Sequence, residues 1–278
     1  MAKEIIFLLT HRIDDVILNN IRKINREKGA RDFAVLVHGE KDTSDLEVPV
    51  YHFSLDQLKV QKFKMLEEGS MFSSVHLAFL YFFKKIPDYD HYWFIEYDVE
   101  FGGKWCHLFD TFVNSHADFI SSYIQPYNEN EYWPWWGLDH PKKKIPVSSR
   151  IRSFNPIYRV SKEALKFLCE ELKTGWVGHH EVMLPTLLHK NDFKLLDLRG
   201  DREFGNSEYP NFYRENAHFP TSDDRFLKLG SLRYRPAMKK AGSKNIIYHP
   251  VKMDMGLSRF EETVYQLSLL KKKMKRFF

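Results

Sequence analysis

Cysteine is scarce. The 278 residues hold two, Cys106 and Cys169, and no Cys-x-x-Cys pair. That excludes a zinc ribbon or a redox dithiol. Both sit inside helical-looking apolar patterns, as buried thiols of a reducing compartment do. Long apolar runs are absent as well, since none approaches the ~20 residues that span a bilayer. The chain enters Glu4-Ile-Ile-Phe-Leu-Leu9 with no basic start and no long apolar core of a signal peptide. A cytoplasmic location is expected. Charge of one sign is in small surplus. The formal net charge of +5 is too little to argue for nucleic acid, and much of it lies in Lys142-Lys-Lys144 and Lys271-Lys-Lys-Met-Lys-Arg276. Glycine is missing after the first apolar run, where Leu9-Thr-His-Arg-Ile13 holds none. A glycine-rich phosphate loop is therefore not indicated there. No internal repeat, low-complexity linker or clean domain break is visible.

What is present is an alternation of strand and helix patterns. Ile5–Leu9 is a short continuous apolar run, as in a strand buried on both faces. Asp14 and Asp15 offer N-caps to a helix carrying Ile17, Ile21 and Ile24, and Gly29 offers its stop. Phe33–Val37 and Val48–Phe53 read as further strands, the second at an edge or strand start because of Pro49. A helix over about 73–85, a strand over His91–Tyr97, a helix face of Trp105, Leu108, Phe109 and Phe112, and a strand over Ala117–Ser122 follow. Beyond a long loop at 123–150, strands are expected at Phe154–Val160, Phe193–Leu198 and Asn245–Tyr248. Helices are expected from Ser161, over Gly178–His189 with a break near Pro185, and from about Ser258. The rhythm predicts an α/β fold, a mostly parallel open sheet flanked by helices. Ligands of such sheets bind at the carboxyl ends of strands.

Chemistry gathers at one such end. His91-Tyr-Trp-Phe-Ile-Glu-Tyr-Asp-Val-Glu-Phe101 leads an apolar strand into Glu96, Asp98 and Glu100. In extended backbone Asp98 and Glu100 point to one side. Two hard oxygen donors suit Mg²⁺ or Mn²⁺, with phosphate oxygens and water completing the shell. A solvated acidic turn is the plainer alternative. His249 ends the last apolar strand and could complete a metal shell, with Lys252 meeting a phosphate; the chain has thirteen histidines, so His249 alone is weak.

Asp98-Val-Glu100 behind an apolar strand resembles the D-x-D signature of GT-A glycosyltransferases. The string Tyr92–Phe101 followed by Trp105 is similar to a poorly characterised group of GT-A-like proteins. Weaker likeness extends to Asn155-Pro-Ile-Tyr-Arg-Val-Ser161, Gly178-His-His-Glu-Val-Met-Leu-Pro-Thr186 and Tyr248-His-Pro-Val-Lys252. The resemblance implies a GT-A-like (Rossmann-like) domain over 1–257, with a nucleotide-binding half at about 1–122 and an acceptor-binding half at about 123–257, and the residues of 258–278 predict a basic amphipathic helix. It implies a nucleotide-sugar donor, UDP-sugar first, a glycan or lipid-linked acceptor, and Mn²⁺ or Mg²⁺ held by Asp98, Glu100 and His249. Glu100 departs from the family's second aspartate.

The resemblance also gives other residues roles. Thr10, His11 and Arg12, with Glu96, Tyr97 and Lys252, are expected at the nucleotide, although Thr10–Arg12 also reads as an ordinary loop. Glu181 is the candidate base of an inverting reaction, or a first-turn glutamate favoured by the helix dipole. His179 and His180 are neighbours that could substitute. Trp133, Trp135 and Trp136, with Tyr132, form a sugar platform or a plug over the core; His180 joins the acceptor side, and Asp139 and His140 lie nearby. Arg233 and Arg235 face a diphosphate or solvent. The 258–278 tail lies on an anionic membrane or docks on the domain. Surface polysaccharide or lipooligosaccharide assembly would suit such an enzyme. Two other functions stay open: a nucleotidyltransferase on a similar sheet, and a non-catalytic carbohydrate-binding protein.

Overall fold

A computed structural model describes residues 2–67, 71, 74–215, 230–234, 237–238, 240–242 and 244–252. Arg235 and the 258–278 segment lie outside the described residues. In chain order the elements are β1 (Glu4–Thr10), α1 (Asp15–Glu27), β2 (Asp32–His38), β3 (Val50–Phe53), α2 (Leu55–Lys59), α3 (His76–Lys85), β4 (His91–Glu96), β5 (Glu100–Phe101) and α4 (Trp105–Thr111). Then come β6 (Phe119–Pro126), β7 (Leu138–Asp139), β8 (Ile151–Ser161), α5 (Lys162–Lys173), β9 (Val177–Gly178), α6 (His180–His189), β10 (Leu195–Asp197) and β11 (Ile247–Tyr248).

The main sheet has seven strands in the order β10-β6-β8-β4-β1-β2-β3. All its pairings are parallel except those of β8 with β4 and with β6. The expected open α/β sheet is therefore present, with one antiparallel strand inserted at its centre. The inner strands are buried on both faces, and alternation divides them. Ile5, Phe7, Leu9, Tyr92 and Phe94 pack on one side, with α3, α5 and α6. Ile6, Leu8, Trp93 and Ile95 pack on the other, with α1 and α4. Each fully buried large apolar side chain contributes about 1.5–3 kcal/mol. Both core layers thus hold β1 and β4 rigidly up to their carboxyl ends. Residues from beyond 122 supply β8 and β10, so both expected halves share one sheet.

Helix starts follow their caps. Asp14 is the N-cap of α1 and its carboxylate accepts from Ile17 N at 3.0 Å. α6 runs unbroken through Pro185. Proline supplies no N–H to the carbonyl four residues back, that of Glu181, and the Ser153 hydroxyl approaches this carbonyl at 3.4 Å. Cys169 is buried and Cys106 half-buried, and both are free. No described helix is long and apolar enough to cross a membrane.

Candidate active site

β4 ends at Glu96, and the backbone turns at once, with Val99 N donating to Glu96 O at 3.0 Å. Asp98 therefore sits in a turn, not in extended chain. The alternation that would put Asp98 and Glu100 on one side does not operate. Glu96 and Asp98 come together instead. Glu100 belongs to β5, which pairs with β11, and its carboxylate accepts from Ala241 N at 3.2 Å.

The β5–β11 pairing brings in a late segment. Ile247 and Tyr248 pair with Phe101 and Glu100, and Val251 N donates to Asp98 O at 2.8 Å. This places His249 Nε2 at 3.4 Å from Asp98 Oδ1 and 3.5 Å from Glu96 Oε2. One ligand atom each from Glu96, Asp98 and His249 all lie within 4.8 Å of one another. His249 Nδ1 is 3.0 Å from Arg233 O, a carbonyl that can only accept. The Nδ1 proton is thereby fixed, and Nε2 faces the carboxylates. Asp98 Oδ1 is buried with no hydrogen-bond partner. Lys252 Nζ lies 3.0 Å from Asp98 Oδ2.

Acids and bases in this cluster shift one another. Burial opposes the charge on Asp98, but His249 and Lys252 overcome it and hold its pKa at about 2. Burial would neutralise His249, yet Asp98 and Glu96 push it up to about 10. Asp98 and Glu96 thus favour a proton on His249 Nε2, which a bound cation would have to displace.

This cluster lies on the wall of a cleft of about 690 Å³ at the carboxyl ends of β1, β2 and β4. Thr10, His11, Glu96, Tyr97, Asp98, Trp133, Trp135, His180, Glu181, Arg233, His249 and Lys252 all line it. On the β1 side, the Thr10 hydroxyl is engaged with Arg12 backbone, at 2.5 Å to its carbonyl. His11 meets the Tyr97 ring edge-on at 4.9 Å. On the opposite side, Glu181 is buried at the start of α6 and accepts from Asn155 N at 3.2 Å. Burial raises its pKa to about 8; Glu96 adds to this, while Asn155, Arg152 and His249 oppose it. His180 is stacked between His179 and His76, with ring centroids at 4.8 and 5.8 Å, and burial keeps it neutral.

No protein-family model and no curated protein matches the chain. Solved structures do match, at low identity. Glucosyl-3-phosphoglycerate synthase from Mycobacterium tuberculosis, with Mn²⁺, uridine diphosphate and phosphoglyceric acid, aligns over 59% of this chain and 57% of its own, at 13% identity and TM-score 0.35. Its complex with Mn²⁺, uridine diphosphate and glucosyl-3-phosphoglycerate gives 59% and 58%, 13% and 0.35. A candidate glucose-1-phosphate thymidylyltransferase from Bacillus anthracis, bound to sucrose, aligns over 70% of this chain and 85% of its own, at 12% identity and TM-score 0.40. The chain spans little more than half of the synthase. These are distant similarities, and the chemistry of the cleft stands on its own residues.

Three expected site residues lie off the cleft. Glu100 and Arg12 border a narrow crevice beside α1, where Arg12 pairs with Asp14 at 2.5 Å. Trp136 is buried, donates to Asn130 O at 3.0 Å and packs edge-on against Trp133 at 5.2 Å. It plugs a loop, the plainer of the two expectations. Asp139 lies in β7, and the His140 ring meets that of Trp176 at a tilt, with centroids 4.7 Å apart.

Several lining residues escaped the sequence, Arg152 among them. β8 has eleven residues against six in β4, so its first half overhangs the end of β4. Arg152, Phe154 and Pro156, spaced by two, line the cleft there. A charge alternating with apolar residues ahead of a strand pattern was the available signal.

Proposed function

We propose that this chain is a metal-dependent GT-A-type glycosyltransferase. It moves a sugar from a nucleotide-sugar donor, UDP-sugar first, to a glycan or lipid-linked acceptor with inversion. The observation that carries this reading is the Glu96–Asp98–His249 cluster on the wall of a cleft that also contains the buried carboxyl of Glu181. Asp98 Oδ1 makes no hydrogen bond within ordinary geometry and faces only His249 Nε2 at 3.4 Å, and once that nitrogen gives up its proton the pair fits a divalent cation. Glu96, Asp98 and His249 would hold it. Two oxygens and one nitrogen favour Mn²⁺ over Mg²⁺, which prefers an all-oxygen shell. When bound, the metal supplies charge neutralisation for the departing diphosphate.

The residues of the chain do the rest. Asp98 divides its carboxylate, Oδ1 towards the metal site and Oδ2 to Lys252, so the ammonium stands beside the diphosphate position. Thr10 backbone, His11 and Tyr97 shape the nucleotide end. Half-buried Trp135, backed by buried Trp133, offers a flat face to the acceptor sugar. Glu181, once ionised, accepts the acceptor hydroxyl proton. Assembly of surface glycans is the setting this chemistry suits.

A thermal-shift measurement tests the reading. UDP with Mn²⁺ at about one hundred times Kd stabilises the folded chain by about 2.7 kcal/mol, a rise on the order of 5 °C for a chain of this size. UDP without Mn²⁺ gives a much smaller rise, and Asp98→Asn removes the metal-dependent part. A shift that ignores both metal and Asp98 sinks the assignment.

A further inference from the structure

Resting on the transferase reading, we propose that His180 is a hydrogen-bond donor to the acceptor and not a base, and that the acceptor carries an oxygen next to the hydroxyl that Glu181 deprotonates, as a vicinal diol does. His180 is 4% exposed yet lines the cleft. It opens α6, one residue before Glu181. Its Nδ1 lies 3.4 Å from the side-chain amide nitrogen of Asn155. The backbone N of Asn155 donates to Glu181 Oε1 at 3.2 Å. One residue of β8 thus holds both head groups.

The neighbours fix the tautomer. Asn155 and Ser121 are both buried. The Ser121 hydroxyl has a single proton to give, and lies 2.8 Å from Asn155 Oδ1 and 3.1 Å from Phe154 O. That carbonyl already accepts from the Ser122 hydroxyl at 2.7 Å. The nearer Asn155 Oδ1 therefore takes the Ser121 proton, which turns the amide NH₂ towards His180. An NH₂ group only donates, so His180 Nδ1 accepts. The proton of the neutral ring then sits on Nε2. Among the described residues nothing hydrogen-bonds to Nε2, and this atom is not sealed in the interior but opens on the cleft.

The ring also stays uncharged. His76 of α3 and His179 flank it, nearly parallel at 18° and 26°. Burial lowers the His180 pKa well below the ordinary value, and charge on His179 or His76 would lower it further. Burial holds those two at about 4 and about 3. Glu181, next in α6, is pushed up to about 8, and the Asn155 amide that faces the ring from β8 is neutral. The positive dipole end of α6 strengthens a donor there. His180 is thus unfit as a base, since Asn155 occupies one nitrogen and a proton the other. A fixed donor beside a carboxyl that accepts once ionised matches two adjacent oxygens. One gives its proton to Glu181 and bonds to the anomeric carbon, whose bond to the diphosphate breaks with the electron pair on the diphosphate. The other accepts from His180 Nε2, which keeps its proton.

Nitrogen NMR of the whole chain, labelled at histidine, tests this, with the His180 signals assigned by their loss in His180→Gln. Nε2 should be protonated and Nδ1 bare from about pH 5.5 to about 8.5, the span over which an ordinary histidine titrates. Methyl glucoside, methyl galactoside and methyl mannoside, which all carry vicinal diols, are then added with UDP and Mg²⁺, a metal that does not broaden the signals. At least one should shift Nε2 far more than Nδ1. In calorimetric titration that glycoside should bind about fivefold more weakly to His180→Phe, as loss of one neutral hydrogen bond gives. His180→Gln, whose amide can place a donor near the Nε2 position, should restore most of the affinity. A proton on Nδ1, a charged ring within that pH span, no Nε2 shift with any glycoside, or a loss that glutamine fails to restore overturns the proposal. Should His180→Phe not fold, the Nε2 shift in the unsubstituted chain decides. A failed UDP–Mn²⁺ thermal shift removes the transferase reading and leaves the Nε2 donor in place, whereas a failed nitrogen readout removes the donor alone.

Discussion

Glu96 and Asp98 flank a turn, and His249 reaches both from the last strand. Glu100 is held by Ala241 on the other side of the chain. The two glutamates should therefore behave differently. Glu96→Gln should weaken Mn²⁺ binding by at least about tenfold, as loss of a ligand does, whereas Glu100→Gln should change it by less than about twofold in the same calorimetric titration. Glu181 gives a second expectation. Burial pushes its pKa up to about 8, so at neutral pH it is mostly protonated and cannot act as a base. Turnover should rise with pH through that region, and Glu181→Gln should remove both the rise and most of the activity. A flat profile in the unsubstituted chain would exclude Glu181 as the proton acceptor.

At the scale of elements, the cleft exists because strands differ in length. β4 stops at Glu96 while its antiparallel neighbour β8 and the bulged β6 continue past it, making a wall where a uniform sheet would end flush. α1 is set against the far side of that edge by Asp14, whose side chain caps the helix and pairs with Arg12. Asp14→Ala should lower stability by about 1 kcal/mol in a denaturant titration. Mn²⁺ binding should be unchanged, because neither Asp14 nor Arg12 lines the cleft. A proline inside α6 does not break it. Pro185 withdraws a donor from the Glu181 carbonyl, and Ser153 of β8 stands opposite that carbonyl.

At the scale of the molecule, a second buried carboxyl sets the response to pH. Burial raises Asp197 to about 7, although Ile124 N and the Tyr213 hydroxyl donate to it at 2.7 and 2.9 Å. The folded pKa lies above the unfolded value of 3.8, so the native state binds more protons between these limits. Asp197 therefore makes stability fall as pH rises from about 4 to about 7, its contribution being complete below the unfolded pKa. Asp197→Asn should flatten that slope in melts across this window, and an unchanged slope would refute the assignment.

Period alone identified most elements, because apolar runs buried on two faces and 3.6-residue stripes are local signals. β1, α1, β2, β4 and α5 lie close to where the residues predict them. Composition and the Tyr92–Phe101 string pointed to an acidic site at the end of β4. Which acids face one another was not local information. It depends on a two-residue turn after Glu96, and on hydrogen bonds between β5 and β11 that join distant parts of the chain. Arg152 was hidden for a similar reason. Its place on the cleft wall comes from the overhang of β8 beyond β4, a property of neighbouring strand lengths that no single segment encodes. The sequence by itself determined the layered sheet and the place of its chemistry. Tertiary pairing decided that Glu96 and Asp98 meet His249, because side chains distant along the chain converge only when the sheet and its late strand are assembled.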